Sequence, residues 1–354
     1  MNSISKNKIK SSRHMGLEYL RSIAALMVVV NHAWYMEPNA SHAHIFTTAI
    51  IYTLVLTAVP LFVLMSGAFL IPNTRNTSAL QFWKHSFRKL FPLSLFFFVL
   101  AFFWETDIWN NYRGIELISK TLEWYANGAT APLWYLCMLP GLYLALPLLA
   151  KLWQHITIKN FTIIGTSLLA LNIYVSLYDF RLPHPISAVY WLGHFILGAI
   201  LLTFARQNKL PSQKKLLAVA CVTVIACISF LFIRFSQNTN IYDQMGINTC
   251  FPTLILTFLL FCIFSQWNPA PQKLIIWLSE LSFLIYLTHV PCQRIIRALL
   301  YHTGYIEQLH STILNNVLFS LSSLALSITA AYIIHKVYLF LTAATGRLVC
   351  TLKH

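Results

Sequence analysis

Apolar stretches long enough to cross a bilayer follow one another along nearly the whole chain, at about residues 17–36, 48–71, 91–106, 132–150, 161–179, 187–205, 216–235, 250–267, 274–290 and 313–341. A helical span needs about 20 such residues, so the pattern predicts ten transmembrane helices, the third and ninth runs being the shortest. The connections are short except for about 107–131 and 291–312, and no repeat or low-complexity tract interrupts them. The chain therefore reads as an all-α integral membrane protein. A basic amino-terminal segment (1–16) precedes a single transmembrane domain (17–341), and a short tail (342–354) follows it.

Composition agrees: 57% of residues are hydrophobic and 10% charged, with a mean hydropathy of +0.64, against roughly 45–50% and 25% in a soluble domain. The net charge of +15 would suggest nucleic acid in a soluble protein, but here its position decides. With the amino terminus inside, the inner connections carry seventeen Lys and Arg, while the outer ones carry five: Arg113, Lys120, Arg181, Arg294 and Arg297. That bias predicts both termini in the cytoplasm, and it excludes the nucleic-acid reading. The basic start and the apolar run after it resemble a signal peptide, yet Arg21, His32 and the lack of a small-residue cleavage site predict a retained first helix. The seven cysteines show no metal-type spacing and read as small buried apolar residues.

Against this background the ionisable residues inside apolar spans stand out, because they are costly there and mark pathways or sites. Arg21 and His32 lie eleven residues apart, about 1100° of rotation and about 16 Å of rise, so they share one helix face at two depths. Glu18 lies one turn before Arg21 and can pair with it. On spacing alone, Arg21 equally reads as a snorkelling arginine and His32 as an interfacial histidine. The ninth span, LIIWLSELSFLIYLTHVP, repeats the arrangement: Glu280 sits near the depth of Arg21 and His289 near that of His32. Ser279, Ser282, Tyr286 and His289 form one polar stripe. Arg21 is thus expected to pair with Glu280, together with Glu18 or in its place. Lys84, Arg88 and Lys89, in FWKHSFRKLFP, are either a positive-inside cluster or a site for an anionic ligand. Trp134 and Tyr135 open the fourth span as belt aromatics. Trp109, Tyr112, Trp124 and Tyr125 stand among acids in the outer loop, a mixture suited to gripping a sugar. Ser66, Gly67 and Ala68 read as a close-packing patch.

Taken in order, Leu17 to His32 with its Arg, ten residues, His spacing, then PLFVLMSG, FRKLFP, LWYL with YLALPLL, and LSFLIYLTH resemble the membrane acyltransferase 3 family. These are integral O-acyltransferases of bacterial surface polysaccharides. The resemblance implies transfer of an acyl group, usually acetyl from cytoplasmic acetyl-CoA, to a hydroxyl of a surface glycan or its lipid-linked precursor, with no bound cofactor or metal. It implies His32 as the essential histidine and general base, and Arg21 as the residue positioning the donor. It further implies Lys84, Arg88 and Lys89 at the phosphates of coenzyme A, and Tyr286 and His289 orienting the acceptor or stabilising the oxyanion. Two departures qualify it: Pro132 stands where many members have a histidine before the LW pair, and the basic loop is sparse. The chain ends soon after its tenth span, as in the stand-alone members.

Two other readings compete. A polytopic transporter or flippase for a glycan or anionic substrate also places charges at two depths, though no inverted repeat or Gly/Pro-broken pair is present. A catalytically silent partner in a glycan-assembly complex predicts no effect of changes at Arg21 and His32. The acceptor sugar, the acyl group and the oligomeric state are not encoded legibly.

Overall fold

The computed structural model describes residues 13–36, 40–130, 132–177, 182–237, 251–306, 309 and 312–351. Among them the chain forms thirteen helices and a 3-10 turn, with no strand. The helices are α1 (Met15–Ala33), α2 (His42–Val55), α3 (Ala58–Leu70), α4 (Ala79–Glu105), α5 (Ile108–Asn111), α6 (Gly114–Ala126), α7 (Trp134–His155), α8 (Ile158–Leu177), α9 (His184–Arg206), α10 (Gln213–Ser236), α11 (Phe251–Gln266), α12 (Lys273–His302) and α13 (Ile313–Thr351).

A helix underlies each of the ten predicted apolar runs, but the described residues do not supply ten membrane-crossing helices. Seven are long and apolar enough, counting α2 and α3 together as one run, and α4 makes an eighth if its two bent halves are one span. Charge and length account for the shortfall. α1 carries Glu18, Arg21 and His32 in only 19 residues, and α11 has 16 residues.

Boundaries differ from expectation where proline intervenes. A proline lacks an N–H and its ring crowds the carbonyl four residues earlier. Pro60 accordingly follows the α2–α3 break at Leu56 and Thr57, and Pro92 follows the 48° bend of α4 between Arg88 and Leu90. In contrast, Pro291 leaves α12 intact to His302, so the expected outer loop from 291 begins as twelve further residues of helix, PCQRIIRALLYH. One lost hydrogen bond does not stop so strong a helix-forming run. The third predicted span also begins early, since α4 includes the basic residues Lys84 and Arg88.

Two helices organise the packing: α1 contacts α2, α3, α11, α12 and α13, while α9 contacts α3, α7, α8 and α11. α3 joins them through glycine. A Cβ on Gly67 would lie 1.7 Å from the Phe195 carbonyl oxygen of α9, and one on Gly198 would lie 2.0 Å from the Leu64 carbonyl oxygen of α3. Only a missing side chain lets the backbones come so close, the close-packing role expected of the Ser66–Gly67–Ala68 stretch. In the outer loop, Trp124 packs its ring on Phe98 and Phe102 of α4, Tyr125 lies against Phe98, and Glu123 pairs with Lys120 at 2.9 Å. The ring contacts hold α6 to α4, while the Lys120–Glu123 pair lies within α6.

Connections show which helix ends share a face. The His14 ring meets the Ser265 carbonyl at 2.9 Å, the Met15 N–H donates to Asn268, and the Gln266 side chain donates to the Pro211 carbonyl. The start of α1, the α9–α10 turn and the α11–α12 turn therefore lie together, with Arg13, Arg206, Lys209, Lys214, Lys215 and Lys273 nearby in sequence. We call this the basic face. At the opposite face the end of α1 meets the starts of α2 and α13, where Tyr35 N–H donates to Asn316 and Asn316 contacts His44.

Candidate functional site

The helical rise sets α1's polar residues at two levels, and α12 supplies the partner at each. At the lower level, near the basic face, Arg21 pairs with Glu18 at 3.6 Å and lies over the ring of Phe69, 5.6 Å from its centroid. The Ser279 hydroxyl of α12 donates to the same Glu18 carboxylate. Ser22 of α1 donates to the Ile275 carbonyl of α12 at 3.2 Å, so the two helices are stitched together here. Glu280 does not take part. It pairs with Arg13 at 2.6 Å, with both side chains about half exposed, which corrects the expected Arg21–Glu280 pair. Ser279 already faces Glu18, and the next residue is turned about 100° away on the helix, toward the surface.

At the upper level the rings of His32 and His289 lie 5.1 Å apart. His289 is fully buried, and its Nδ1 is 2.6 Å from the Tyr286 carbonyl oxygen. A carbonyl can only accept, so Nδ1 carries the proton and Nε2 is left as a lone-pair acceptor. That Nε2 and the nearby Asn31 Oδ1 are buried without a hydrogen-bond partner among the described residues. One turn further along, the Gln293 side chain donates to the Val29 carbonyl at 3.0 Å and holds α12 against α1. The Tyr286 hydroxyl donates to the Pro132 carbonyl just before α7. Position 132 thus contributes its backbone carbonyl to this contact. The whole expected stripe of Ser279, Ser282, Tyr286 and His289 is buried.

From Tyr286 the contacts continue through aromatic rings. Tyr135 lies 5.7 Å from Tyr286; Trp134 lies 6.2 Å from Tyr135; and Trp191 lies 6.0 Å from Trp134. His194 follows at 5.4 Å from Trp191, stacked on Phe258 at 5.7 Å, while His184 flanks Trp134 at 5.8 Å. The structure therefore brings His32, His289, Tyr286, Tyr135 and Trp134 into one continuous row. Trp191, His194 and His184 extend it, three residues that sequence reasoning passed over. The signal for His194 was present, an imidazole inside the apolar run YWLGHFILGAI, but no neighbouring motif pointed to it.

The remaining candidates stay apart from this row. Lys84 and Arg88 are exposed on the first half of α4 and form no ion pair among the described residues, with Lys89 next on the same helix. Trp83 anchors this stretch by donating to the Tyr143 carbonyl of α7 at 2.9 Å.

A family model described as an acyltransferase domain, that of the membrane acyltransferase 3 family, matches residues 15–336. No curated protein and no solved structure matches the chain.

Proposed function

The chain belongs to the membrane acyltransferase 3 family and is a membrane acyltransferase; from that premise we propose that it is an O-acetyltransferase. In this reading it moves acetyl from cytoplasmic acetyl-CoA to a hydroxyl of a bacterial surface polysaccharide or its lipid-linked precursor. The basic face is the cytoplasmic one, and the protein resides in the inner membrane. The observation that carries the reading is the histidine pair: two imidazoles 5.1 Å apart, one with an unpartnered Nε2, at the opposite end of α1 from an arginine–glutamate pair.

Lys84, Arg88 and Lys89 receive the phosphates of coenzyme A, since cations on one helix suit phosphate, and Arg21 positions the donor arm. His32 takes the proton of the acceptor hydroxyl. The hydroxyl oxygen attacks the thioester carbonyl, the C–O bond forms, the C–S bond breaks, and the thiolate leaving group recovers a proton from the histidine pair. The chain's own contribution is to hold that pair: the Tyr286 carbonyl fixes the His289 tautomer, and Gln293 locks α12 to α1 beside it.

Mass spectrometry of surface glycans with and without the gene tests the class, a difference of one acetyl group being expected. His32→Ala should abolish acetyl incorporation while glycan export continues. Export lost with His32→Ala would instead identify a transporter or flippase, and an unchanged glycan would identify a silent partner.

A further inference from the structure

His194 is fully buried, and neither of its ring nitrogens has a hydrogen-bond partner among the described residues. An imidazole always presents at least one N–H, and a buried donor or acceptor left unsatisfied is costly. The side chain is held firmly: its ring stacks on Phe258 of α11 with only 10° between planes, and Trp191 lies one turn away on α9. Unlike His289, it has no backbone carbonyl to occupy a nitrogen. Both a donor and an acceptor are therefore left open at this buried position.

Its depth gives the level at which this pair of open nitrogens stands. His194 lies twelve residues before the α9 end at Arg206 on the basic face, about 18 Å up the helix at 1.5 Å per residue. On the same scale Arg21 is about 9 Å and His32 about 25 Å from the α1 start, which shares that face. His194 thus stands between the level of the donor arginine and that of the histidine pair, in the row of rings that leads to His289. Resting on the proposed donor, whose thioester arm runs from the basic face toward the pair, we propose that His194 is a binding residue for that arm. It gives one hydrogen bond to, and takes one from, the amide groups of the pantetheine chain, while Trp191 and Phe258 flank its apolar parts. An amide suits an imidazole with both nitrogens open because it offers a carbonyl and an N–H together.

The test uses the full-length protein in lipid nanodiscs with two acetyl donors, acetyl-CoA and the amide-free thioester S-acetylbutanethiol. His194→Phe keeps the ring stacking but removes both nitrogens; His194→Gln keeps a donor and an acceptor. The expected result is that His194→Phe raises the KM for acetyl-CoA about tenfold, the worth of roughly one buried hydrogen bond, with the KM for the amide-free donor and for the glycan acceptor unchanged. His194→Gln should restore most of the loss. Equal shifts with both donors, a shift in the acceptor's KM alone, or no shift at all would each overturn the proposal, the last meaning that water satisfies the imidazole. If His194→Phe does not fold, the comparison of His194→Gln with His194→Leu on the same two donors decides in the same way. A wild-type protein that uses no acyl-CoA sinks the donor reading itself, whereas a working wild type with indifferent variants sinks only this inference.

Discussion

At the scale of single residues, matched depth was readable because helix rise is fixed, and partner choice was not. Both Glu18 and Glu280 stand at the level of Arg21, and a rotation of one residue decides between them. The structure gives Arg21 to Glu18, which also accepts from Ser279, and gives Glu280 to Arg13 at the surface. The two carboxylates should therefore respond differently to neutralisation. An exposed pair is worth about 0–1 kcal/mol, so Glu280→Gln should leave acetyl transfer within about twofold of wild type and hardly move the melting transition. Glu18 is only 13% exposed in its side chain. Glu18→Gln removes the carboxylate charge that faces Arg21 and accepts from Ser279, a charge-assisted hydrogen bond worth about 1.5–3 kcal/mol, and should lower kcat/KM for acyl-CoA about tenfold or more. Parallel steady-state assays check this; the reverse order of effects would restore Glu280 as the partner. His194 escaped notice for a different reason, since an isolated buried histidine acquires meaning only when its unpartnered nitrogens and its neighbours are known.

At the scale of elements, hydropathy located the helices, and proline explains most of the boundary differences. The α2–α3 break and the bend of α4 each fall four residues before a proline, at Pro60 and Pro92. That local rule was available in the sequence. The outer extension of α12 was less so, because Pro291 follows the same rule and yet is tolerated. Contact between α3 and α9 was half legible: the small-residue run announced a close approach, but its partner, the Phe195 backbone, lies 128 residues away and comes only from tertiary packing. This contact sets a prediction. A methyl group at Gly67 would meet the Phe195 carbonyl oxygen at 1.7 Å, backbone that cannot rotate aside. Gly67→Ala should push α3 from α9, lowering stability by about 1–3 kcal/mol, the usual cost of overpacking. Because α9 also carries Trp191 and His194 of the ring row, acyl transfer should fall as well. Thermal unfolding in detergent, compared with Gly114→Ala, checks the claim; Gly114 has open space around its Cβ position but a positive φ of 59°, so its variant reports backbone strain without a clash. A Gly67→Ala protein no less stable than wild type would show that the two helices can separate freely.

At the scale of the whole molecule, the row of rings crosses α1, α12, α7, α9 and α11, and no reading of one span at a time could assemble it. What the sequence did carry was polarity. On the expected ten-span topology seventeen Lys and Arg fall on one side and five on the other, and the structure gathers the start of α1, the α9–α10 turn and the α11–α12 turn on a single face. A donor with phosphates suits that face, and a hydroxyl acceptor suits the far end of α1 where His32 meets His289. The two substrates should therefore enter from opposite sides, which sealed vesicles can test. A single cysteine placed at Lys209 on the basic face, on a background with Cys221, Cys250 and Cys350 replaced, reports orientation through a membrane-impermeant maleimide. With the basic face outward, labelled acetyl-CoA added outside should acetylate acceptor enclosed within the vesicle. With the basic face inward, the same addition should give no transfer until the vesicles are permeabilised. Equal transfer in both orientations would mean that donor and acceptor share one entrance, and the level of Arg21 would then have to be reassigned from donor binding to structural support of α1 against α12.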